Sequence, residues 1–297
     1  MLEGLIESGF QITSTWPIRT ERKARSVGIG TNALASSIVL ACRPRPEDAE
    51  RVGRADFLRA LRRELPAAIR TLQHGSIAPV DLAQAAIGPG MAVFSRYREV
   101  LEDDGSRMRV RTALALINEV LDEVLSEQEG EYDADTRWAL AWFEQHGYEA
   151  GPYGEAEVLA TARNVAVGGL EEAGILEARA GKVRLLRREE LEEPWDPRTD
   201  PRLPVWELAQ RIAKAHQVGG EAGAAAIVAA VGPARAEVAR DLAYRLYTLC
   251  ERKGWADEAL VWNALGTAWP SIVERADEAA EGAGGRGEVE DMFGPGG

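Results

Sequence analysis

Few residues in this sequence have the types and spacing that catalysis or metal binding requires. The three histidines, His74, His146 and His216, stand far apart, with no cysteine or carboxylate at metal-ligand spacing. The two cysteines, Cys42 and Cys250, are too few for a zinc ribbon or a disulfide framework. The order of a Ser-His-Asp triad and a nucleophile elbow are both missing. The sequence therefore predicts no metal, no cofactor and no catalytic residue in this chain.

Two glycine-rich stretches were weighed as phosphate-binding elements. Gly28-Ile29-Gly30 precedes a predicted strand, whereas the dinucleotide fingerprint follows a strand and opens a helix, so we interpret it as a loop. The second stretch begins at Ile87-Gly88-Pro89-Gly90-Met91 and ends at Arg96 and Tyr97. Glycines ahead of a helix can offer backbone N–H groups to an anion, and Arg96 and Tyr97 would then touch a phosphate or a base. The alternative is a glycine turn between two packed helices.

A basic loop at residues 19–25 is the best candidate for contact with DNA. It holds Arg19, Arg22, Lys23 and Arg25. The whole chain has a net charge of −13, but residues 1–70 contain 12 basic and 8 acidic side chains. Because neutralisation of phosphate needs Lys and Arg, we expect weak, salt-sensitive DNA binding through this segment. The alternative is a solvated loop without a ligand.

The N-terminal region has the pattern of a short helix followed by two strands. Leu2, Leu5 and Ile6 share one helical face, and apolar and polar side chains then alternate over residues 10–18. Residues 34–42 are nearly apolar on both faces, which predicts a strand inside a sheet that is covered on both sides. Two strands do not form a stable sheet alone. We therefore expect further strands from a partner or from upstream sequence.

Helical spacing dominates the remainder of the chain. The apolar stripes are Phe57, Leu58, Leu61, Leu65, Ile69 and Leu72; Val110, Leu114, Ile117, Val120, Leu121, Val124 and Leu125; and Trp138, Ala141 and Trp142. After a Pro-rich link at residues 194–204, a last helical group contains Leu208, Leu242 and Trp269. Glycine, alanine and glutamate dominate from residue 276 onward, which predicts a disordered tail.

Residues 155–188 have a different pattern, with two short helices followed by a hairpin that turns at Ala180-Gly181. This is the order of a winged-helix module, which often places its second helix in a DNA groove. The second helix carries Glu171 and Glu172, which phosphates would repel. The wing is basic, with Arg179, Lys182, Arg184 and Arg187. DNA contact and protein docking or packing therefore both remain open.

The composition is that of a soluble globular protein, with 45% hydrophobic and 28% charged residues. No apolar run reaches the roughly 20 residues that cross a bilayer. The first residues lack the basic and apolar regions of a signal peptide. These features predict a cytoplasmic protein without a membrane partner.

Several phrases of the sequence are long and unusual. They are Trp16-Pro17-Ile18-Arg19-Thr20-Glu21, Ala33-Leu34-Ala35-Ser36-Ser37-Ile38-Val39-Leu40-Ala41-Cys42-Arg43-Pro44-Arg45, Ile77-Ala78-Pro79-Val80-Asp81-Leu82, Gly88-Pro89-Gly90-Met91, Asp135-Thr136-Arg137-Trp138-Ala139-Leu140 and Arg240-Asp241-Leu242-Ala243-Tyr244-Arg245-Leu246-Tyr247. Together they resemble adenine-specific DNA methyltransferases that carry a zinc ribbon, and the resemblance covers most of the chain before the tail. The first two phrases resemble the closing hairpin of the methyltransferase domain.

This resemblance implies a Rossmann-like sheet that binds S-adenosylmethionine, and methyl transfer to the N6 amine of a flipped adenine in DNA. It also implies a role in restriction-type defence against foreign DNA. In that family the Gly-rich donor motif and the Asp-Pro-Pro-Tyr motif lie upstream of the hairpin, and this sequence has neither. Its pair Asp196-Pro197 is followed by Arg198 and Thr199. The ribbon cysteines are also missing, so no catalytic or cofactor-binding residue can be assigned from the family.

We expect a mainly α fold with a small β component. The N-terminal αββ remnant of a Rossmann-like methyltransferase sheet is followed by a helical bundle, a winged-helix-like module and C-terminal helices. The predicted regions are 1–45 for the terminal β-hairpin, 46–150 for the helical region, 151–192 for the winged-helix-like module, 193–275 for the C-terminal helices and 276–297 for the tail.

Two functions are consistent with the sequence. The first is the C-terminal portion of an S-adenosylmethionine-dependent adenine methyltransferase, inactive alone. Its partners would be DNA and either the missing N-terminal methyltransferase part or another defence subunit. The second is a non-enzymatic adaptor that binds a protein or DNA through its winged-helix and helical regions and adds its hairpin to the sheet of a partner.

Overall fold

The computed structural model describes residues 2–19, 36–75 and 77–291. The chain divides into an N-terminal unit, Met1–Glu129, and a C-terminal unit, Gly130–Gly297. Helices account for 67% of the chain and strands for 11%, which confirms the prediction of a mainly α fold with a small β component.

The N-terminal unit combines a two-stranded antiparallel hairpin with three long helices. Its elements are α1 (Leu2–Glu7), β1 (Phe10–Arg19), β2 (Ser36–Pro44), β3 (Arg51–Gly53), α2 (Arg54–His74), α3 (Pro79–Ser95), β4 (Glu99–Leu101) and α4 (Val110–Glu127). Strand β1 pairs with β2, and the short strands β3 and β4 form a separate parallel pair. The predicted order of one helix and two strands at the N-terminus is therefore confirmed.

The three long helices of this unit pack through the apolar stripes that the sequence predicts. On α2 the side chains of Phe57, Leu61 and Ile69 are fully buried, and they recur at the spacing that keeps one helical face toward a core. On α4 the buried stripe includes Ile117 and Val124. Helix α3 packs against β1, α2 and α4. Contact with three elements explains why most of its own residues are buried.

The glycine-rich stretch at residues 87–91 lies inside a helix, so both sequence interpretations of it as a turn or an anion-binding loop are wrong. Helix α3 runs without interruption from Pro79 to Ser95. A Cβ atom on Gly88 would lie 2.0 Å from the Thr15 hydroxyl, and one on Gly90 would lie 2.6 Å from Ile117. The glycines therefore allow β1 and α4 to approach the backbone of α3 closely.

The C-terminal unit begins with a winged-helix-like arrangement. Its elements are α5 (Ala134–His146), β5 (Gly151–Pro152), α6 (Tyr153–Ala162), α7 (Val167–Glu172), β6 (Leu176–Arg179) and β7 (Lys182–Leu185). The predicted two helices and hairpin are confirmed, and the structure adds two elements. Strand β5 pairs with β7 to give a sheet of order β5-β7-β6, and α5 packs against α6 and β7 as an additional first helix.

Three helices complete the C-terminal unit: α8 (Val205–Val231), α9 (Pro233–Lys253) and α10 (Ala256–Asp291). Helix α8 bends at Gly220, where φ is 62°. Helix α10 continues to Asp291, inside the segment predicted as a tail, and Ala276 is buried. The predicted disorder of this segment stays a prediction. Alanine and glutamate favour helix, and Ala276 extends the buried stripe of Trp269 and Ile272. Residues 292–297 lie outside the described residues.

Candidate functional site

The N-terminal hairpin is tied to α3 at an irregular point in its ladder. The pairing register shifts between Ile12 and Ser14, which marks a β-bulge at Thr13. The backbone N–H of Ile12 donates to the hydroxyl of Ser95 at 2.8 Å, and Ser95 is fully buried on the last turn of α3. A buried N–H without a partner is costly, so this side chain stabilises the bulge.

A single arginine fixes the end of the hairpin to two helix termini. The guanidinium of Arg45 donates to the carbonyl oxygens of Ile6, Ser95 and Tyr97, at 3.2, 3.3 and 3.0 Å. Burial and the positive charges of neighbouring arginines lower the pKa of Arg45. Carbonyl groups at the ends of helices attract cations. Sequence reasoning missed this role because its partners are 39 to 52 residues away.

One face of the hairpin packs against α3, and the other presents the exposed side chain of Val39. Thr15 pairs with Leu40, and Thr15 contacts α3 at Gly88. Paired side chains share a face and successive residues alternate, so Val39 points away from α3. Val39 is 46% exposed. Among the described residues neither β1 nor β2 has a second neighbouring strand, and these residues supply one of the two covers predicted for β2.

The residues predicted to touch DNA are only partly described. Arg19 is the last residue of β1, but its side chain and all of Arg22, Lys23 and Arg25 lie outside the described residues. The guanidinium of Arg96 donates to both oxygens of Glu64, at 2.8 and 2.9 Å, and to the hydroxyl of Tyr97 at 3.2 Å.

The contact between Arg96 and Glu64 stabilises the charged form of both side chains. The hydrogen bonds that Arg96 donates to Glu64 raise the pKa of Arg96 and lower the pKa of Glu64. Glu64 also accepts from Arg63 at 2.8 Å, so two arginines share this carboxylate. The structure brings Arg96 and Tyr97 together, but it positions Arg96 on a carboxylate, which reduces its attraction for phosphate.

Two arginines of the basic wing are occupied by internal contacts. Arg184 donates to both oxygens of Glu190, at 2.7 and 2.9 Å, and to Glu177 at 3.0 Å. The guanidinium of Arg187 lies 4.7 Å from the ring centre of Tyr148. The exposed basic side chains at the tip are Arg179 and Lys182.

The helix that winged-helix modules often place in DNA is acidic and partly covered here. Glu171 and Glu172 line a cleft beside the Pro-rich link, and a link residue, Arg202, lies against Gly169 of α7. Arg202 also donates to both oxygens of Asp135, at 2.7 and 2.8 Å. Arg202 therefore connects the link to both α5 and α7.

A closed ring of buried and half-buried polar groups joins the end of the wing to the C-terminal helices. Arg188 donates to Glu258 and to Gln210, Gln210 donates to the hydroxyl of Tyr148, and that hydroxyl donates to Glu258. Burial raises the pKa of Tyr148, so its hydroxyl remains a donor. Each side chain of the ring has partners within it, which is how buried polar networks become stabilising.

The described residues contain no group of His, Cys, Asp or Glu that could hold a metal ion. Cys42 and Cys250 are free thiols, and burial raises the pKa of Cys250, which keeps it protonated and unreactive. No described helix is long and apolar enough to cross a membrane.

Comparison with known families gives one match. Residues 133–289, more than half of the chain, match the family described as Domain of unknown function (DUF8807). The chain belongs to this family. The DUF8807 region begins at Asp133, the N-cap of α5, whose carboxylate accepts from the backbone N–H of Thr136. It therefore includes the winged-helix-like arrangement, α8, α9 and α10 as far as residue 289. No curated protein and no solved structure matches the chain.

Proposed function

We propose that this chain acts as the C-terminal portion of an S-adenosylmethionine-dependent, adenine-specific DNA methyltransferase of the restriction or defence type. In this proposal its hairpin completes the sheet of a methyltransferase domain, and a separate N-terminal part binds the donor and the adenine. The chain alone is inactive, works in the cytoplasm, and contacts DNA weakly. Its partner is that N-terminal part or another defence subunit.

The open face of the hairpin is the observation that carries this proposal. A nine-residue strand pairs with a ten-residue strand and is supported by α3 on one side. The other side presents Val39, and the described residues add no further strand. Isolated two-stranded sheets are marginal in water, whereas two strands at the end of a larger sheet would have this composition and this exposure.

The positions of the phrases that resemble the family also support the proposal. The phrase at residues 33–45 includes all of β2, and the phrase at residues 240–247 lies in α9, where Leu242, Tyr244 and Leu246 are buried. These phrases therefore fall on elements that determine the packing of both units.

The described residues do not fit the methyl donor, which is why donor binding is assigned to the separate part. The direct strand-to-helix turn of the N-terminal unit, from β3 into α2, has one glycine, Gly53. Arg51 and Arg54 flank it and pair with Glu99 and Glu102, at 2.9 and 3.1 Å. A donor-binding turn needs several glycines to bring backbone N–H groups close to the ligand.

The test is complementation in trans. The N-terminal part of a methyltransferase from the resembling family, ending before the hairpin, is co-expressed with this chain, and N6-methyladenine in DNA is measured by mass spectrometry. We expect methylation only with both parts. Val39→Lys should abolish it, because a charge would enter the buried face of the completed sheet. Val158→Lys is the matched control, since Val158 is 73% exposed on α6.

Methylation that needs only the N-terminal part, or that survives Val39→Lys unchanged, would contradict the proposal. If the chain binds the N-terminal part without any methylation, the result supports completion of the sheet by the hairpin but contradicts the methyltransferase activity.

The second candidate is the non-enzymatic adaptor. It is favoured by the winged-helix-like order of α5 to β7 together with an acidic α7 that the link partly covers. The reading frame upstream of Met1 distinguishes the two. A frame in the same orientation that encodes a Gly-rich motif and an Asp-Pro-Pro-Tyr motif supports the methyltransferase, and an unrelated upstream region supports the adaptor.

A further inference from the structure

Each strand of the N-terminal hairpin has an outer edge, which is the side that faces away from the other strand. In an antiparallel ladder, the backbone N–H and C=O of alternate residues point to the neighbouring strand, and those of the residues between them point outward. The N–H of Arg45 donates to the carbonyl oxygen of Gly9 at 2.8 Å, so Arg45 points inward. The pairing of β2 skips no residue, and alternation therefore turns the backbone groups of Leu40 and Cys42 outward.

The outer edge of β1 is closed to a further strand. Ile12 pairs with the outward-pointing Cys42, and its own N–H donates to the hydroxyl of Ser95 at 2.8 Å. Pro17 pairs with Ile38, which also points outward, and a proline has no N–H to offer at this edge. A bulge lies between these two positions. Bulges, prolines and covered amides are the features that prevent a sheet edge from pairing.

The outer edge of β2 consists of the backbone groups of Ile38, Leu40 and Cys42. Its strand is nine residues long, and its one proline, Pro44, is the last of them. Among the described residues, no strand pairs with this edge and no side chain bonds to its backbone groups. Donors and acceptors that recur at every second residue match the backbone of another extended chain.

The wing shows how this chain closes an edge in its other unit. The N–H of Leu186 donates to the carbonyl oxygen of Ile175, so alternation along β6 turns the backbone groups of Ala178 outward. The N–H of Ala178 donates to the carboxylate of Glu171 at 3.0 Å. The outer edges of β1 and β6 are therefore each closed by a side chain, and the described residues leave the outer edge of β2 uncovered.

We propose that a β-strand of the separate N-terminal methyltransferase part pairs with the outer edge of β2, through the backbone of Leu40 and Cys42. This inference rests on the proposed function, in which the hairpin completes a sheet, and it assigns the places of the two strands. Strand β2 becomes an internal strand of that sheet and β1 is its last strand. The run Ile38-Val39-Leu40-Ala41 is apolar on both faces, as internal strands covered on both faces are.

The test is a calorimetric titration of the full chain with the N-terminal part used for complementation. Leu40→Pro removes one outward N–H but no hydrogen bond between β1 and β2. We expect its affinity to fall at least about tenfold, because a buried carbonyl of the partner would lose its donor. Ala178→Pro is the matched control, since it makes the same change at an outward position of the wing, and it should bind like the wild type.

A measurement on the wild type keeps the proposal testable if Leu40→Pro disturbs folding. Residue-resolved hydrogen–deuterium exchange compares the chain alone with the mixture. The amides of Leu40 and Cys42 should gain more protection on mixing than the amide of Ile12, which already has a partner in Ser95.

Equal affinity of Leu40→Pro and the wild type would overturn the proposal, as would an equal loss in Ala178→Pro or a larger gain in protection at Ile12 than at Leu40. A dimer of the chain alone that Leu40→Pro dissociates, measured by sedimentation, would also overturn it, because a second copy would then occupy the edge.

Methylation by the mixed parts separates this inference from the proposed function. Methylation that Val39→Lys abolishes and Leu40→Pro leaves intact would overturn the edge assignment alone, because the partner would then cover the face of the hairpin without pairing. A complex that Leu40→Pro weakens but that does not methylate DNA would contradict the methyltransferase activity alone. No binding of the two wild-type parts would overturn both.

Discussion

The two units of the chain differ in how their β-strands are covered. The C-terminal unit encloses a ring of polar groups around Arg188 and Glu258, and its short sheet is packed against α5 and α6. The N-terminal unit carries a hairpin with one open face, at Val39, and no further strand among the described residues. We propose that the hairpin of the N-terminal unit packs against a further surface that a partner supplies.

The largest expected effect is on the polar ring of the C-terminal unit. Glu258→Ala should lower the free energy of unfolding by about 3–5 kcal/mol, because Arg188 would remain buried without its carboxylate. The side chains are 6% and 15% exposed for Arg188 and Glu258. Urea unfolding measures the change. The control is Glu144→Ala, which breaks a pair whose members, Arg252 and Glu144, are 43% and 45% exposed, and which should change stability by about 1 kcal/mol or less.

Similar losses from Glu258→Ala and Glu144→Ala would mean that the buried ring does not hold the C-terminal unit together. The measured stabilities would then not support the proposed difference between the two units.

The next effect concerns the close packing of the N-terminal unit. Glycine to alanine inside a helix normally stabilises by about 1 kcal/mol. Gly90→Ala should instead destabilise by about 1–3 kcal/mol, because the new methyl group would overlap Ile117. Gly154→Ala on α6 is the control, since nothing lies within 4 Å of its added Cβ. In urea unfolding, the change in unfolding free energy should have opposite signs in the two variants. A stabilised Gly90→Ala variant would show that α3 and Ile117 are not closely packed.

The sequence predicted elements better than it predicted contacts. Stripes such as Leu61 to Ile69 and Ile117 to Val124 follow local periodicity, so α2 and α4 could be located in advance. The packing role of the glycines in α3 could not be predicted, because a glycine in a turn and a glycine under a crossing strand look alike in sequence.

The same limit applied to the candidate site. Arg96 was a reasonable DNA candidate by residue type, but its partner Glu64 is 32 residues away and comes close only through packing of α2 and α3. Arg188 and Glu258 are 70 residues apart. Long-range pairing of charges has no local signal in a single sequence, so the networks had to come from the structure.

A third prediction compares the basic residues of the two units. Replacing Arg19, Arg22, Lys23 and Arg25 with Ala should weaken binding of a labelled duplex about tenfold and flatten its salt dependence, because fewer counterions are released. Replacing Arg179 and Lys182 of the wing should have a smaller effect. Fluorescence titrations at low and moderate salt measure both. Equal binding by the four-residue variant and the wild type would exclude the loop as a DNA-binding site.

The smallest effect is a pH dependence in the C-terminal unit. Burial lowers the pKa of His216 from its ordinary value of 6.5, and Glu221 opposes this only in part. The folded state therefore prefers the neutral ring, so the stabilisation is present above pH 6.5 and is lost as the pH falls through the lowered pKa. His216→Gln should reduce the change in unfolding free energy with pH, measured by urea unfolding at several pH values. An unchanged slope in His216→Gln would contradict this assignment.

Hydrogen–deuterium exchange tests the central claim most directly. The full chain is measured alone and with the N-terminal methyltransferase part used for complementation. The account predicts that backbone amides of β1 and β2, Phe10–Arg19 and Ser36–Pro44, gain strong protection on mixing, because new strands or a new face cover them. Helices α5 to α10 should exchange equally in both samples. Protection confined to the C-terminal unit, or a hairpin already fully protected in the chain alone, would contradict the account.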